Sequence, residues 1–106
     1  MPEKLDRLVS LRRMAAERPD DSRLQFGLAV ELLNRGDTRE GADALRAYLD
    51  REEDEGNGWG RLGAALADLG EAEEAREAYS RGIEIANGRG HSGLAEELQE
   101  ALENLT

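Results

Sequence analysis

Two stretches of the chain satisfy the G-x-G-x-x-G pattern that cradles phosphate: Gly58-Trp59-Gly60-Arg61-Leu62-Gly63 and Gly88-Arg89-Gly90-His91-Ser92-Gly93. Those glycines serve a dinucleotide only between a strand and a helix, where the helix N-terminus meets the pyrophosphate. No stretch here keeps a strand's period of two, so both patterns read as helix and turn glycines and no nucleotide cofactor is expected. His91 is the sole histidine and cysteine is absent. A zinc site wants three or four nitrogen or sulfur ligands, so no metal centre is expected either. The acidic run Glu52-Glu53-Asp54-Glu55 lacks the alternating ligand spacing of a calcium loop. It is expected to solvate a link and to lend negative charge to a helix N-terminus. Ser10, Ser22, Ser80 and Ser92 have no base nearby in sequence and no G-x-S-x-G elbow. Carboxylates are plentiful, yet nothing surrounds them with the apolar pocket that acid–base work requires. The reading is a protein that is not an enzyme.

Composition narrows the remaining classes. The 106 residues carry 14 Lys and Arg against 24 Asp and Glu, a formal charge of −10, with 39% hydrophobic and 4% aromatic residues. Phosphate binding rests on neutralisation by Lys and Arg, so nucleic acid is an unsuitable partner. The longest apolar run, Ala64 to Ala67, is far short of a membrane span. No signal-peptide core opens the chain, so a cytoplasmic location is expected. The acidity is uneven: residues 1–19 hold five bases and three acids, and Lys4 is the only lysine. Arg12 breaks the apolar stripe of Leu5, Leu8 and Val9 that a membrane-surface helix would keep clean. Arg7, Arg12, Arg13 and Arg18 are therefore expected to face solvent.

The elements that would carry any site are helical. Leu24, Leu28 and Leu32 recur every four residues, as do Leu62 and Leu66 and, later, Leu94, Leu98 and Leu102. Turn signals at Arg18-Pro19-Asp20-Asp21, Arg35-Gly36-Asp37, Glu55-Gly56-Asn57-Gly58, Leu69-Gly70 and Asn87-Gly88-Arg89-Gly90 delimit six helices. Shifting the sequence by 34 places Leu28 on Leu62, Leu32 on Leu66, Gly36 on Gly70, Glu40 on Glu74 and Ala44 on Ala78. Small residues at Ala29, Gly63, Gly41, Ala75, Ala44 and Ala78 would let paired helices approach, with Leu28, Leu45, Leu62 and Tyr79 filling between them. Gly36 and Gly70 suit left-handed helix caps. Asp37 with Glu40 and Ser22 with Gln25 have capping-box spacing.

The stretch Trp59-Gly60-Arg61-Leu62-Gly63-Ala64-Ala65-Leu66, followed by Ala75 and Tyr79, resembles a tetratricopeptide repeat (TPR). The preceding unit carries Gln25, Leu28, Ala29, Leu32, Gly41 and Leu45 at the same places, and Asn87 stands where the closing proline falls. Trp59, at its repeat position, is a packing residue rather than a stacking platform. The resemblance implies an all-α, right-handed α-solenoid of antiparallel helix pairs forming one domain. Its parts would be an N-terminal helix resembling a half repeat (1–21), two repeats (22–55 and 56–89) and a C-terminal capping helix (90–106). It further implies a scaffold-like protein–protein interaction module that binds a peptide in a concave groove. By position, Arg23, Phe26, Val30 and Asn34 of one repeat and Asn57, Arg61, Ala64 and Asp68 of the next would line it. Two arrangements compete with that groove: the last helix folding back over it, or Phe26 turning into the core. The functional alternative is a structural module that self-associates as a homodimer.

Overall fold

The computed structural model describes the backbone of residues 3–105 and the side chains of 7–105, so those of Lys4 and Leu5 lie outside the described residues. Six α-helices follow one another: α1 (Glu3–Glu17), α2 (Ser22–Asn34), α3 (Thr38–Arg51), α4 (Asn57–Asp68), α5 (Ala72–Gly88) and α6 (Ser92–Glu103). Among the described residues there is no strand, and the fold is an all-α helical repeat.

Two compact units divide the chain, residues 1–52 and 53–106. In the first, α2 and α3 run along each other and α1 packs on α2. Ala15, Ala29, Leu32, Ala42, Leu45 and Leu49 form its buried core. In the second, α5 packs along both α4 and α6, and α6 also touches α4. Leu62, Ala65, Leu66, Ala75, Tyr79 and Leu98 lie at its centre. Alanine and leucine dominate both cores because helix pairs at close range leave room for little else.

The helix ends show why the repeat works. Gly36 and Gly70 adopt φ of 86° and 79°, a region that a side chain would disfavour. At the first, Asp37 N–H donates to Leu32 O at 2.9 Å and Gly36 N–H to Leu33 O at 3.1 Å. At the second, Glu71 N–H donates to Leu66 O at 2.9 Å and Gly70 N–H to Ala67 O at 3.0 Å. Each pair satisfies carbonyls that the helix would otherwise leave open. The end of α5 repeats the pattern, His91 N–H reaching Ala86 O at 2.8 Å.

The helix starts differ from the capping boxes expected of the sequence. Asp21, not Ser22, caps α2, its Oδ1 accepting from Leu24 N–H at 3.2 Å. The Ser22 hydroxyl instead donates to Glu52, and Gln25 Nε2 donates to Ala15 O at 3.2 Å, tying α2 to the end of α1. Asp37 precedes α3 without a side-chain cap bond, and the Glu40 side chain is engaged by Arg12. The acidic run also departs from expectation at one residue. Asp54 is buried, and its Oδ2 accepts from Gly56 N–H at 2.8 Å and Gly58 N–H at 2.7 Å. It thereby does for α4 what the glycine at the cap position, Gly56, cannot.

Glycines inside the helices mark where neighbours come closest. A Cβ on Gly41 would stand 2.7 Å from Leu33 Cδ2, and one on Gly63 2.8 Å from the Tyr79 ring. On Gly60 and Gly82 it would stand 2.6 and 2.8 Å from the two methyl carbons of Leu98. The first G-x-G-x-x-G pattern therefore resolves into three packing needs, at Asp54, Leu98 and Tyr79. Gly63→Ala is expected to destabilise the protein by about 1–3 kcal/mol, the usual result of overpacking a rigid contact. Asp54→Ala, which strands two amides, is expected to cost about 1–3 kcal/mol, with Asp54→Asn milder. Urea denaturation followed by circular dichroism measures all three.

Candidate functional site

The four candidate residues on α2 lie along one accessible face: Arg23 and Asn34 are exposed, Phe26 and Val30 half-buried. Phe26 has not turned into the core. It tilts against Tyr48 of α3, ring centroids 5.0 Å apart at 54°. Beside this pair lies a pocket of about 360 Å³ lined by Ser22, Arg23, Phe26, Gly27, Tyr48 and Glu52. That is the lower end of the range for ligand sites. Among the described residues Arg23 has no ion-pair partner, whereas Glu52 holds the Ser22 hydroxyl.

On α4 the counterparts Asn57, Arg61, Ala64 and Asp68 are all exposed. The last helix does not cover them: α6 docks through Leu98 into the notch at Gly60 and Gly82. Trp59 is half-buried, its Cβ 3.2 Å from where a Cβ on Gly82 would stand. His91 lies exposed just before α6.

A second hollow, of about 420 Å³, lies in the first unit between Arg12, Ala15, Ala16, Leu28, Ala47 and Arg51, with Pro19 and Gln25 at its edge. Both arginines are engaged. Arg12 makes a two-pronged ion pair with Glu40, one arm at 3.0 Å, and Arg51 pairs with Asp20 at 3.0 Å while also donating to Pro19 O at 2.6 Å. Arg7 pairs with Glu31 at 3.3 Å, and Arg35 meets the same carboxylate at 3.0 Å. Arg7, Arg12, Arg13 and Arg18 are all exposed, as the sequence suggests, and Arg7 and Arg12 in addition reach across to acids of α2 and α3. The hydrogen bond from Arg12 holds Glu40 below the usual carboxylate range and raises the guanidinium in turn. Because both partners are largely exposed, the pair fixes orientation more than it adds stability.

Sequence spacing marks neither Tyr48 nor Gly27, and it marks Ser22 only as a cap and Glu52 only as part of a solvated link. A signal did exist: at the 34-residue offset Gly27 meets Arg61, Tyr48 meets Gly82 and Phe26 meets Gly60. The pocket sits where the two repeats disagree most in size.

Among the described residues no group of three or more His, Cys, Asp or Glu is placed to hold a metal ion. None of their helices is long and apolar enough to cross a membrane.

Helix pairs that recur at an offset of 34, each closed by a left-handed glycine after its first helix, define a helical-repeat protein. A family model described as tetratricopeptide repeat matches residues 3–84, and the chain belongs to that family. The chain is also 30% identical over 98 residues to TPR repeat-containing protein PA0015 of Pseudomonas aeruginosa, an alignment spanning 92% of this chain and 93% of that one. A protein-interaction module is the function this family suggests.

Tyr79 offers a titration that reports on the second unit. Burial, with the Asp68 charge added, raises its phenol above the ordinary value of 10.0. A raised folded-state pKa means stability is fully present below the unfolded value and lost as pH climbs through the folded one. Melting midpoints are therefore expected to fall above about pH 10 in the natural sequence, and less steeply in Tyr79→Phe.

Proposed function

We propose that the chain is a non-catalytic scaffold module of the cytoplasm that receives a peptide or protein segment on its exposed helix faces. In this reading the repeats are residues 22–55 and 56–89, flanked by a half repeat at 1–21 and a capping helix at 90–106. Arg23, Phe26, Val30 and Asn34 contact the partner from α2, and Asn57, Arg61, Ala64 and Asp68 contact it from α4. The observation that carries the reading is the accessibility of all eight: each is exposed or half-buried, while the neighbouring residues Ala29, Leu32, Leu62 and Leu66 are spent on the core. Phe26 and Val30 supply apolar anchors, and the arginines supply donors for backbone carbonyls or carboxylates. A charge of −10 turns nucleic acid away.

The alternative, self-association into a homodimer, draws on Val9 of α1, which at 52% is the exposed large hydrophobic among the described residues.

Selection of a displayed library of random twelve-residue peptides on the immobilised protein tests the first reading. Enriched peptides are expected to bind with micromolar affinity. Arg23→Glu and Arg61→Glu should each weaken them about tenfold, or roughly 1.4 kcal/mol, without a lower melting point. Sedimentation from low to high micromolar concentration tests the second. A dimer that persists at low micromolar, together with an empty peptide selection, replaces the binding module with the self-associating one.

A further inference from the structure

Asparagine followed by glycine is the sequence in which a chain most readily reacts with itself. Glycine has no side chain to hinder its backbone nitrogen, which can attack the carbonyl carbon of the asparagine side chain. The protein has two such pairs, Asn57-Gly58 and Asn87-Gly88, and both asparagines are exposed. In the sequence both read as turn signals; the structure makes them unlike.

At the first pair Gly58 is buried, and its N–H donates to Oδ2 of the buried Asp54 at 2.7 Å. The same oxygen accepts from Gly56 N–H at 2.8 Å, so the start of α4 is built around it. A carboxylate at that distance opposes loss of the amide proton and holds the nitrogen away from the Asn57 side chain. At the second pair, Asn87 and Gly88 are the last two residues of α5 and both are exposed. A Cβ on Gly88 would meet nothing within 4 Å. Backbone bonds close this turn: Arg89 N–H is shared between Ile85 O and Ala86 O at 3.1 and 3.3 Å, and Gly90 N–H donates to Asn87 O at 3.1 Å. Helix ends of this kind open at the lowest cost in free energy.

We propose that Asn87 is a site of spontaneous covalent modification, converting to aspartate and isoaspartate through a cyclic imide with Gly88, and that Asp54 shields Asn57 from the same reaction. As the last turn of α5 opens, the Gly88 nitrogen gives its proton to solvent base and bonds to Asn87 Cγ. The Cγ–Nδ2 bond breaks, and that nitrogen takes up a proton and leaves as ammonia. Water then opens the ring. Attack at Cγ restores the chain as aspartate; attack at the Asn87 backbone carbonyl leaves the chain running through Cγ as isoaspartate. Either product sets a carboxylate at the negative end of the α5 dipole. Isoaspartate also lengthens the backbone by one carbon, displacing the bond from Gly90 N–H to Asn87 O and that from His91 N–H to Ala86 O. Those bonds join α5 to α6, whose Leu98 fills the notch at Gly60 and Gly82. The joint therefore loosens with age, while Asn57, on the face assigned to a partner, is kept intact.

The test incubates the folded full chain at mildly alkaline pH, well below its melting midpoint, beside a sample unfolded in urea. Cleavage after arginine puts the two pairs on separate peptides, residues 52–61 and 82–89, whose conversion mass spectrometry and chromatography follow. In urea the two peptides should convert at similar rates. In the folded chain, residues 82–89 should convert at least about tenfold faster than residues 52–61. Gly88→Ala, which fits the open space, should slow conversion at Asn87 at least about tenfold without lowering the melting midpoint. Asp54→Ala should bring the conversion of residues 52–61 toward that of 82–89; the ratio is read because a less stable chain speeds both. In the isoaspartate form the His91 amide should exchange with solvent faster than in the fresh protein. Conversion of Asn57 as fast as Asn87 in the folded chain overturns the proposal. So does a folded chain that converts at neither site while the unfolded chain converts fully. An unchanged ratio in Asp54→Ala overturns the shielding, and an unchanged His91 amide overturns the loosened joint.

Discussion

The structure depends on a steric limit: within each unit, neighbouring helices lie too close to admit one more methyl group at several places. Gly41 against Leu33, Gly63 against Tyr79, and Gly60 with Gly82 around Leu98 all show it. Close approach explains why a chain with so few aromatic residues still buries a core, since Ala29, Ala75 and Ala86 are fully enclosed. It also explains why the helix ends are so closely specified. A helix that overran Gly36 or Gly70 would carry its partner out of register, and the paired carbonyl-capping bonds at each glycine stop it.

Charge is fitted around that packing rather than into it. The core is apolar, and the one buried carboxylate among the described residues, Asp54, is spent on the amides at the start of α4. In the first unit Arg7 and Arg12 of α1 pair with acids of α2 and α3 and so orient the lead helix. The second unit carries most of the negative charge on exposed faces of α5 and α6, where water and salt screen it. A segment bearing a carboxylate is thus better received by the first unit than by the second.

Much of the fold was legible because its signals are local. Leucines every four residues and glycines after Asn34-Arg35 and Asp68-Leu69 mark helices and their ends without reference to distant residues. Capping was legible only to within a residue. Asp21 stands beside Ser22, and either can cap; Arg12, far away in sequence, decides what Glu40 does. Of the four acids at 52–55, nothing in their order tells which turns inward, because that depends on Gly56 and Gly58 leaving room. The faces of α2 and α4 could be placed by register, yet the pocket could not, since Phe26 and Tyr48 meet only once α2 and α3 have packed.

The central claim is that close packing requires glycine at Gly41, Gly60, Gly63 and Gly82, whereas Gly27, also in a helix interior, meets no neighbour. Denaturation of Gly27→Ala beside Gly60→Ala tests it most directly. Gly27→Ala should be more stable than the natural chain by about 0.5–1 kcal/mol, as alanine is in an unobstructed helix. Gly60→Ala should be less stable. A loss of stability in Gly27→Ala would contradict the account, because the glycine would then belong to the fold.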